Sequence, residues 1–123
     1  MQSINDRKIR PRRSFIFVPA LRPDIFPKAL ASGADIVCLE LEDGIAPSDK
    51  DEARANALAI FAEEQANDDV ERMVRINCLR DGFGIADMQA ILETSTPPPS
   101  LMLPKVRTPD EVAIIDTLLT EKG

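Results

Sequence analysis

Short apolar runs alternate along the chain with stretches of helical periodicity. Phe15-Ile-Phe-Val18 is the first run, and Pro19 closes it because proline cannot donate to a sheet ladder. After the loop Ala20-Leu-Arg-Pro23, residues Ile25, Phe26, Ala29 and Leu30 mark the buried face of a helix. Asp24 is the expected cap of that helix, Pro27 is tolerated in its first turn, and Ser32-Gly33 stops it. Ile36 to Leu41 is a second, buried strand that turns acidic at Glu42 and Asp43 before Gly44 and Pro47. Ser48 is expected to cap a second helix running from about Asp49 to Ala66, with Ala53, Ala57, Ile60 and Phe61 as its apolar stripe. Asn67-Asp68-Asp69 is a turn, Arg72 to Asn77 a third strand, and Cys78 to Gly84 a loop at its C-terminal end. Ile85, Met88, Ile91 and Leu92 give a third amphipathic helix, and Thr96-Pro-Pro-Pro-Ser100 is a stiff connector. Leu101 to Leu103 is a fourth strand. Thr108-Pro109-Asp110-Glu111 then supplies a cap, a proline at the first helical position and a capping-box glutamate. Val112, Ile115, Leu118 and Leu119 are expected to point inward on the fourth helix.

The order βαβαβαβα with short connections implies an α/β fold with a parallel sheet and right-handed crossovers. A small open doubly wound sheet and the first half of a (βα)8 barrel both fit. The first strand lacks a Gly-rich phosphate loop, which argues against a dinucleotide-binding sheet. The 123 residues divide into a basic tail, residues 1–13, and a single (βα)4 domain, residues 14–123. The tail reads either as a frayed terminus or, functionally, as placing Arg12 or Arg13 next to a site that binds an anion.

Net charge of −6 and only 4% aromatic residues argue against nucleic acid as a partner. No apolar run approaches a membrane span. The absence of histidine removes imidazole acid–base chemistry and histidine metal ligands from the chain. Cys38 and Cys78 make no CxxC motif and read as reduced thiols of a cytoplasmic protein.

Arg13-Ser-Phe-Ile-Phe-Val-Pro19, Arg22-Pro23-Asp24 and Lys28-Ala29 open an ordered series of motifs. The series continues through Gly33-Ala34-Asp35, Leu41-Glu42-Asp43, Ala46-Pro47-Ser48-Asp49-Lys50 and Ala53-Arg54-Ala55-Asn56, and on to Val74-Arg75-Ile76-Asn77 and Leu103-Pro104-Lys105-Val106. The series resembles the citrate lyase beta subunit and malyl-CoA lyase group of the HpcH/HpaI aldolase superfamily. The resemblance implies half of a TIM-type barrel and a Mg²⁺-dependent carbon–carbon lyase acting on acyl-CoA thioesters and short keto acids. It also implies that the glutamate and aspartate ligating the metal directly follow later strands, so this chain alone is expected to be inactive. Ala20 stands where that group commonly has glycine, and Cys78 and Arg107 also depart from its pattern.

Arg75 is the leading catalytic candidate. It lies within an apolar strand, where an unpaired charge is costly, and its planar fork suits a carboxylate or enolate oxygen. The resemblance gives the matching arginine contact with the keto acid or thioester oxygen. The plain structural alternative is an ion pair with Glu40, Glu42 or Asp43. Glu42 and Asp43 offer hard oxygen donors, and the resemblance assigns them metal-bound waters. The alternative is capping, or pairing with Arg75 or Lys105. Strand alternation predicts that only one of the two faces the site. Arg22 and Lys28 suit coenzyme A phosphates, against ordinary solvated charge. Lys105 faces the same end with an open role. A second reading is a non-catalytic assembly module. A half-barrel has open strand edges, which invite a homo-oligomer or a complementing C-terminal half.

Overall fold

The computed structural model describes residues 9–63 and 69–122. Arg7 and Lys8 of the tail, the expected end of the second helix at Glu64–Ala66 and the turn at Asn67-Asp68 lie outside the described residues. Four strands, β1 (Phe15–Pro19), β2 (Ile36–Glu40), β3 (Glu71–Arg75) and β4 (Leu101–Met102), pair in that order, all parallel. They alternate with α1 (Phe26–Leu30), α2 (Lys50–Glu63), α3 (Gly82–Glu93) and α4 (Pro109–Lys122). Sequential strands pairing side by side, with a helix in each crossover, form an α/β sheet consistent with part of a (βα)8 barrel.

Val18, Val37, Leu39 and Val74 are buried under the helices with Ala53, Ala57, Phe61, Met88 and Ile91. Strand alternation puts Phe15, Phe17, Cys38, Glu40, Met73 and Arg75 on the opposite face. There Phe15 and Phe17 meet edge to face at 4.8 Å, and Phe17 stays 44% exposed. Cys38 lies in the middle of this face, where burial pushes its thiol up to about 12 and keeps it an unreactive filler. Both cysteines are free. No helix among the described residues is long and apolar enough to cross a membrane.

Helix starts depart most from expectation. Asp24 caps nothing. It pairs with Arg22, and Pro23–Ile25 forms a 3-10 turn with Ile25 at the start of α1. Ser48 likewise sits inside a 3-10 turn, Pro47–Asp49, whose cap is the extended residue Ala46. In both cases the proline fixes the first helical φ and selects the start one residue away from the polar side chain. Helix α3 begins earlier than its apolar stripe suggests, because Asp81 accepts the Phe83 N–H at 2.9 Å and draws the loop into the helix. The capping glutamate of α4 is present: Glu111 accepts the backbone N–H of Thr108 at 2.9 Å and of Arg107 at 2.7 Å. The inward stripe of α4 is only half realised. Ile115 is buried, while Val112 and Leu118 are 48% and 39% exposed. The cause is position: α4 flanks the edge strand β4, which is only two residues long.

Arg12 and Arg13 are placed away from the site expected for them. Arg12 pairs with Glu71, and Arg13 with Asp35 at 3.6 Å, at the N-terminal ends of the strands. That is the end opposite Arg75, the last residue of β3.

Candidate functional site

Parallel register assembles the site. Pro19, Glu40, Arg75 and Met102 are successive partners across the sheet at the C-terminal ends of the strands. Side chains so aligned share a face, so Glu40 and Arg75 meet directly. The Glu40 carboxylate receives Arg75 Nε at 2.9 Å and Arg75 Nη2 in a two-pronged pair. Arg75 keeps 22% of its side chain exposed and Glu40 only 7%. The guanidinium also lies 4.5 Å from the Phe17 ring centre. The Glu40 partnership raises the guanidinium pKa further above its ordinary value.

Beyond β2 the chain turns back on itself. Glu40 Oε1 accepts the Glu42 N–H at 2.7 Å, and Ile45 N–H donates to Glu42 O at 3.1 Å. Lys50, at the start of α2, is buried and donates to the carbonyls of Leu41 at 2.9 Å and Glu42 at 2.6 Å. Glu42 itself is buried; its carboxylate lies 3.7 Å from Arg75 Nε and accepts from Lys105 Nζ. The same ammonium reaches Asp43 at 2.9 Å. Both acids therefore converge on Lys105. This corrects the expectation that only one would face the site: β2 ends at Glu40, so strand alternation no longer applies at Glu42 and Asp43. Hydrogen bonding from Lys105 holds the Asp43 carboxyl below its usual range, and the carboxylates raise the Lys105 ammonium. Lys105 adopts a left-handed backbone, φ 52°, a strained choice for a residue with a Cβ.

A cavity of about 300 Å³ adjoins this cluster, lined by Glu42, Asp43, Lys50, Asn77, Cys78 and Lys105 among others. Arg22 and Lys28 stand apart. Arg22 is exposed and paired with Asp24, and Lys28 is exposed on α1. Among the described residues, neither is joined to the cluster by a hydrogen bond or ion pair.

Three supports were not singled out from the sequence. Lys50 is one. Asn56 is another, donating to Ala20 O at 2.9 Å and so tying α2 to the loop after β1. The third is Asp87, 1% exposed, which accepts from the Asn77 backbone at 2.8 Å, the Asn77 amide at 2.7 Å and Arg54 Nε at 2.7 Å. Each left a signal. A lysine in a first helical turn opposes the helix dipole, and Asp87 interrupts a buried stripe made by Gly84, Met88 and Ile91.

For a divalent ion, the donor chemistry fits only in part. Glu42 and Asp43 supply hard oxygens that suit the waters around Mg²⁺. Among the described residues, however, no group of three or more histidine, cysteine, aspartate or glutamate side chains gathers to hold an ion.

Comparison with known proteins bears on the family and the fold. The chain is 39% identical over 113 residues to the L-malyl-CoA/beta-methylmalyl-CoA lyase of Cereibacter sphaeroides, covering 90% of this chain and 35% of that protein. It is 36% identical over 110 residues to the mitochondrial citramalyl-CoA lyase of Rattus norvegicus, covering 89% and 32% respectively. It thus spans about a third of the length of these curated relatives. Among solved structures it is similar to RipC from Yersinia pestis, with a TM-score of 0.69, 33% identity and coverage of 87% of this chain and 40% of that one. It is also similar to CitE from Mycobacterium tuberculosis, solved in complex with magnesium, acetoacetate and coenzyme A. There the TM-score is 0.68, the identity 31% and the coverage 85% and 38%. The family described as HpcH/HpaI aldolase/citrate lyase matches residues 13–123, and with the parallel sheet and its charged C-terminal rim already in view, this chain belongs to that family.

Proposed function

We propose that this chain supplies the substrate arginine and the outer acids of a Mg²⁺-dependent carbon–carbon lyase acting on acyl-CoA thioesters and short keto acids. The observation that carries the reading is the ion cluster of Glu40, Arg75, Glu42, Asp43 and Lys105 at the C-terminal rim, where parallel α/β folds keep their chemistry. The magnesium, acetoacetate and coenzyme A held by the CitE neighbour, and the lyase names of the curated relatives, support it.

In this reading Arg75 binds the keto acid or thioester oxygen and stabilises the charge that grows on it as the carbon–carbon bond breaks. Glu42 and Asp43 orient waters of the ion, which when bound offsets negative charge on the substrate. Lys105 holds the two acids in place and favours the ionised form of Asp43. Arg22 and Lys28 stay available to coenzyme A phosphates; since Arg22 is tied to Asp24, it would exchange that partner for phosphate.

Because the described residues gather no full coordination sphere, the chain alone is expected to show no Mg²⁺-dependent cleavage of L-malyl-CoA or citramalyl-CoA. Robust turnover by the purified chain would sink the division of labour proposed here. Binding is the positive arm: acetoacetate in Mg²⁺ buffer should perturb the Arg75 side-chain resonance.

A second reading, a non-catalytic module that assembles through its own sheet, is favoured by specific exposures. Phe17 is 44% exposed, and among the described residues β1 and β4 are the edge strands of the sheet, each with one side unpaired. This reading predicts a stable dimer with no response of Arg75 to acetoacetate.

A further inference from the structure

We propose that Glu40 is a positioning residue that fixes the orientation of the Arg75 guanidinium; the role it implies for ligand binding rests on the functional reading above. Arg75 presents three nitrogens. Two of them, Nε and Nη2, are taken by the Glu40 carboxylate. One face of the guanidinium lies near the Phe17 ring at 4.5 Å. Nη1 carries no hydrogen bond among the described residues. A guanidinium held along one edge and covered on one face has a single free edge to offer, and that edge suits a planar carboxylate or enolate.

Glu40 is itself held firmly. It is 5% exposed, and its Oε1 also accepts the Glu42 N–H at 2.7 Å. The turn after Asp43 folds back against it. A Cβ at Gly44 would sit 3.3 Å from Glu40 Cγ and 3.7 Å from Oε2, so glycine lets the backbone close over the carboxylate. Glu40 thus links two parts of the rim: the arginine of β3 and the backbone that carries Glu42 and Asp43. An ion pair serving stability alone would need neither the shared Oε1 nor the packed turn. The plainer role of neutralising a charge on a half-open face makes a different prediction, because it depends on charge and not on orientation.

The test uses the full chain and the variant Glu40→Gln, which keeps the shape, loses the charge and brings an amide N–H against Nη2. In the unsubstituted protein the Arg75 Nε–H is expected as a slowly exchanging, shifted NMR signal. In Glu40→Gln that signal should move to the ordinary arginine position and exchange at least tenfold faster, with the backbone spectrum retained. Acetoacetate affinity in Mg²⁺ buffer should weaken at least fivefold. Gly44→Ala, which changes no charge, should shift the same signal in the same direction by less, and it serves if Glu40→Gln fails to fold. An Arg75 signal that stays in place in both variants overturns the proposal. So does a displaced signal with unchanged acetoacetate affinity. Acetoacetate that leaves Arg75 untouched in the unsubstituted protein counts against the functional reading; the hold of Glu40 is then decided by the ligand-free signal alone.

Discussion

At the scale of single residues, the decisive fact is where charge meets limited solvent. Glu40 and Arg75 are cross-strand partners with 7% and 22% of their side chains exposed. Arg75→Met would leave the Glu40 carboxylate buried with only one backbone donor. Breaking one side of a buried pair costs about 3–5 kcal/mol, and because Arg75 keeps some solvent the loss should fall near the lower end, about 3 kcal/mol. Urea denaturation of the variant measures it; a loss under about 1 kcal/mol would mean the pair behaves as a surface contact. Arg75 was legible in the sequence because a charge inside Met73-Val74-Arg75-Ile76 has to be answered by something. The sequence leaves its partner open among Glu40, Glu42 and Asp43. Choosing Glu40 took the register, which no local pattern encodes.

At the scale of elements, the two ends of the sheet are managed differently. At the N-terminal end, Asp35 accepts the backbone N–H of Arg13 at 2.8 Å and of Ser14 at 3.2 Å, and its own N–H donates to Ser14 Oγ at 3.0 Å. These bonds join the start of β1 to the start of β2. The Arg13 N–H, with the Ser14 N–H, lowers the Asp35 carboxyl below its ordinary value. The sign follows from linkage. A carboxyl whose folded pKa is depressed contributes stability above its unfolded pKa, near 3.8, and loses it as pH falls through the lower folded value. Glu111 is lowered in the same way by the Arg107 and Thr108 N–H groups. The unfolding midpoint should therefore drop as pH falls below the ordinary carboxylate range. Asp35→Asn should flatten part of that slope, and an unchanged slope would discount the staple. At the other end, Gly84 lets α3 press on the loop after β3. A Cβ there would lie 2.0 Å from Cys78 O and 2.7 Å from Asn77 O. Overpacking of this kind costs about 3 kcal/mol or more when the obstacle is backbone. Gly84→Ala should accordingly lower the thermal midpoint and displace the amide resonances of Asn77 and Cys78.

At the scale of the whole molecule, one sheet face is roofed by helices and the other is only partly filled. Ile85, Ile114 and Leu118 are 61%, 55% and 39% exposed along α3 and α4, and Phe17 is 44% exposed on the sheet. Exposed apolar surface of this extent, with an open strand edge at each side of the sheet among the described residues, favours association. Light scattering over a dilution series should show a mass above that of one 13.5 kDa chain at high concentration. A clean monomer throughout would remove the assembly reading and leave the lyase reading intact.

The alternation of apolar runs and helical stripes determined the element order and the parallel sheet, and the ordered series of motif residues pointed to the family. Those depend on local burial and on motif residues that stand in the chain itself. Sequence also placed Glu42, Asp43, Arg75 and Lys105 at one end, since each follows or closes a strand. Only the tertiary structure decided the rest. It replaced the expected caps at Asp24 and Ser48 with proline-started turns. It brought both acids onto Lys105, and it showed α2 reaching the rim through Lys50 and Asn56. The physical reason is range. A stripe or a cap is set by neighbours a few residues away, whereas an ion pair between residues 35 or 63 positions apart depends on register and on where the chain turns back.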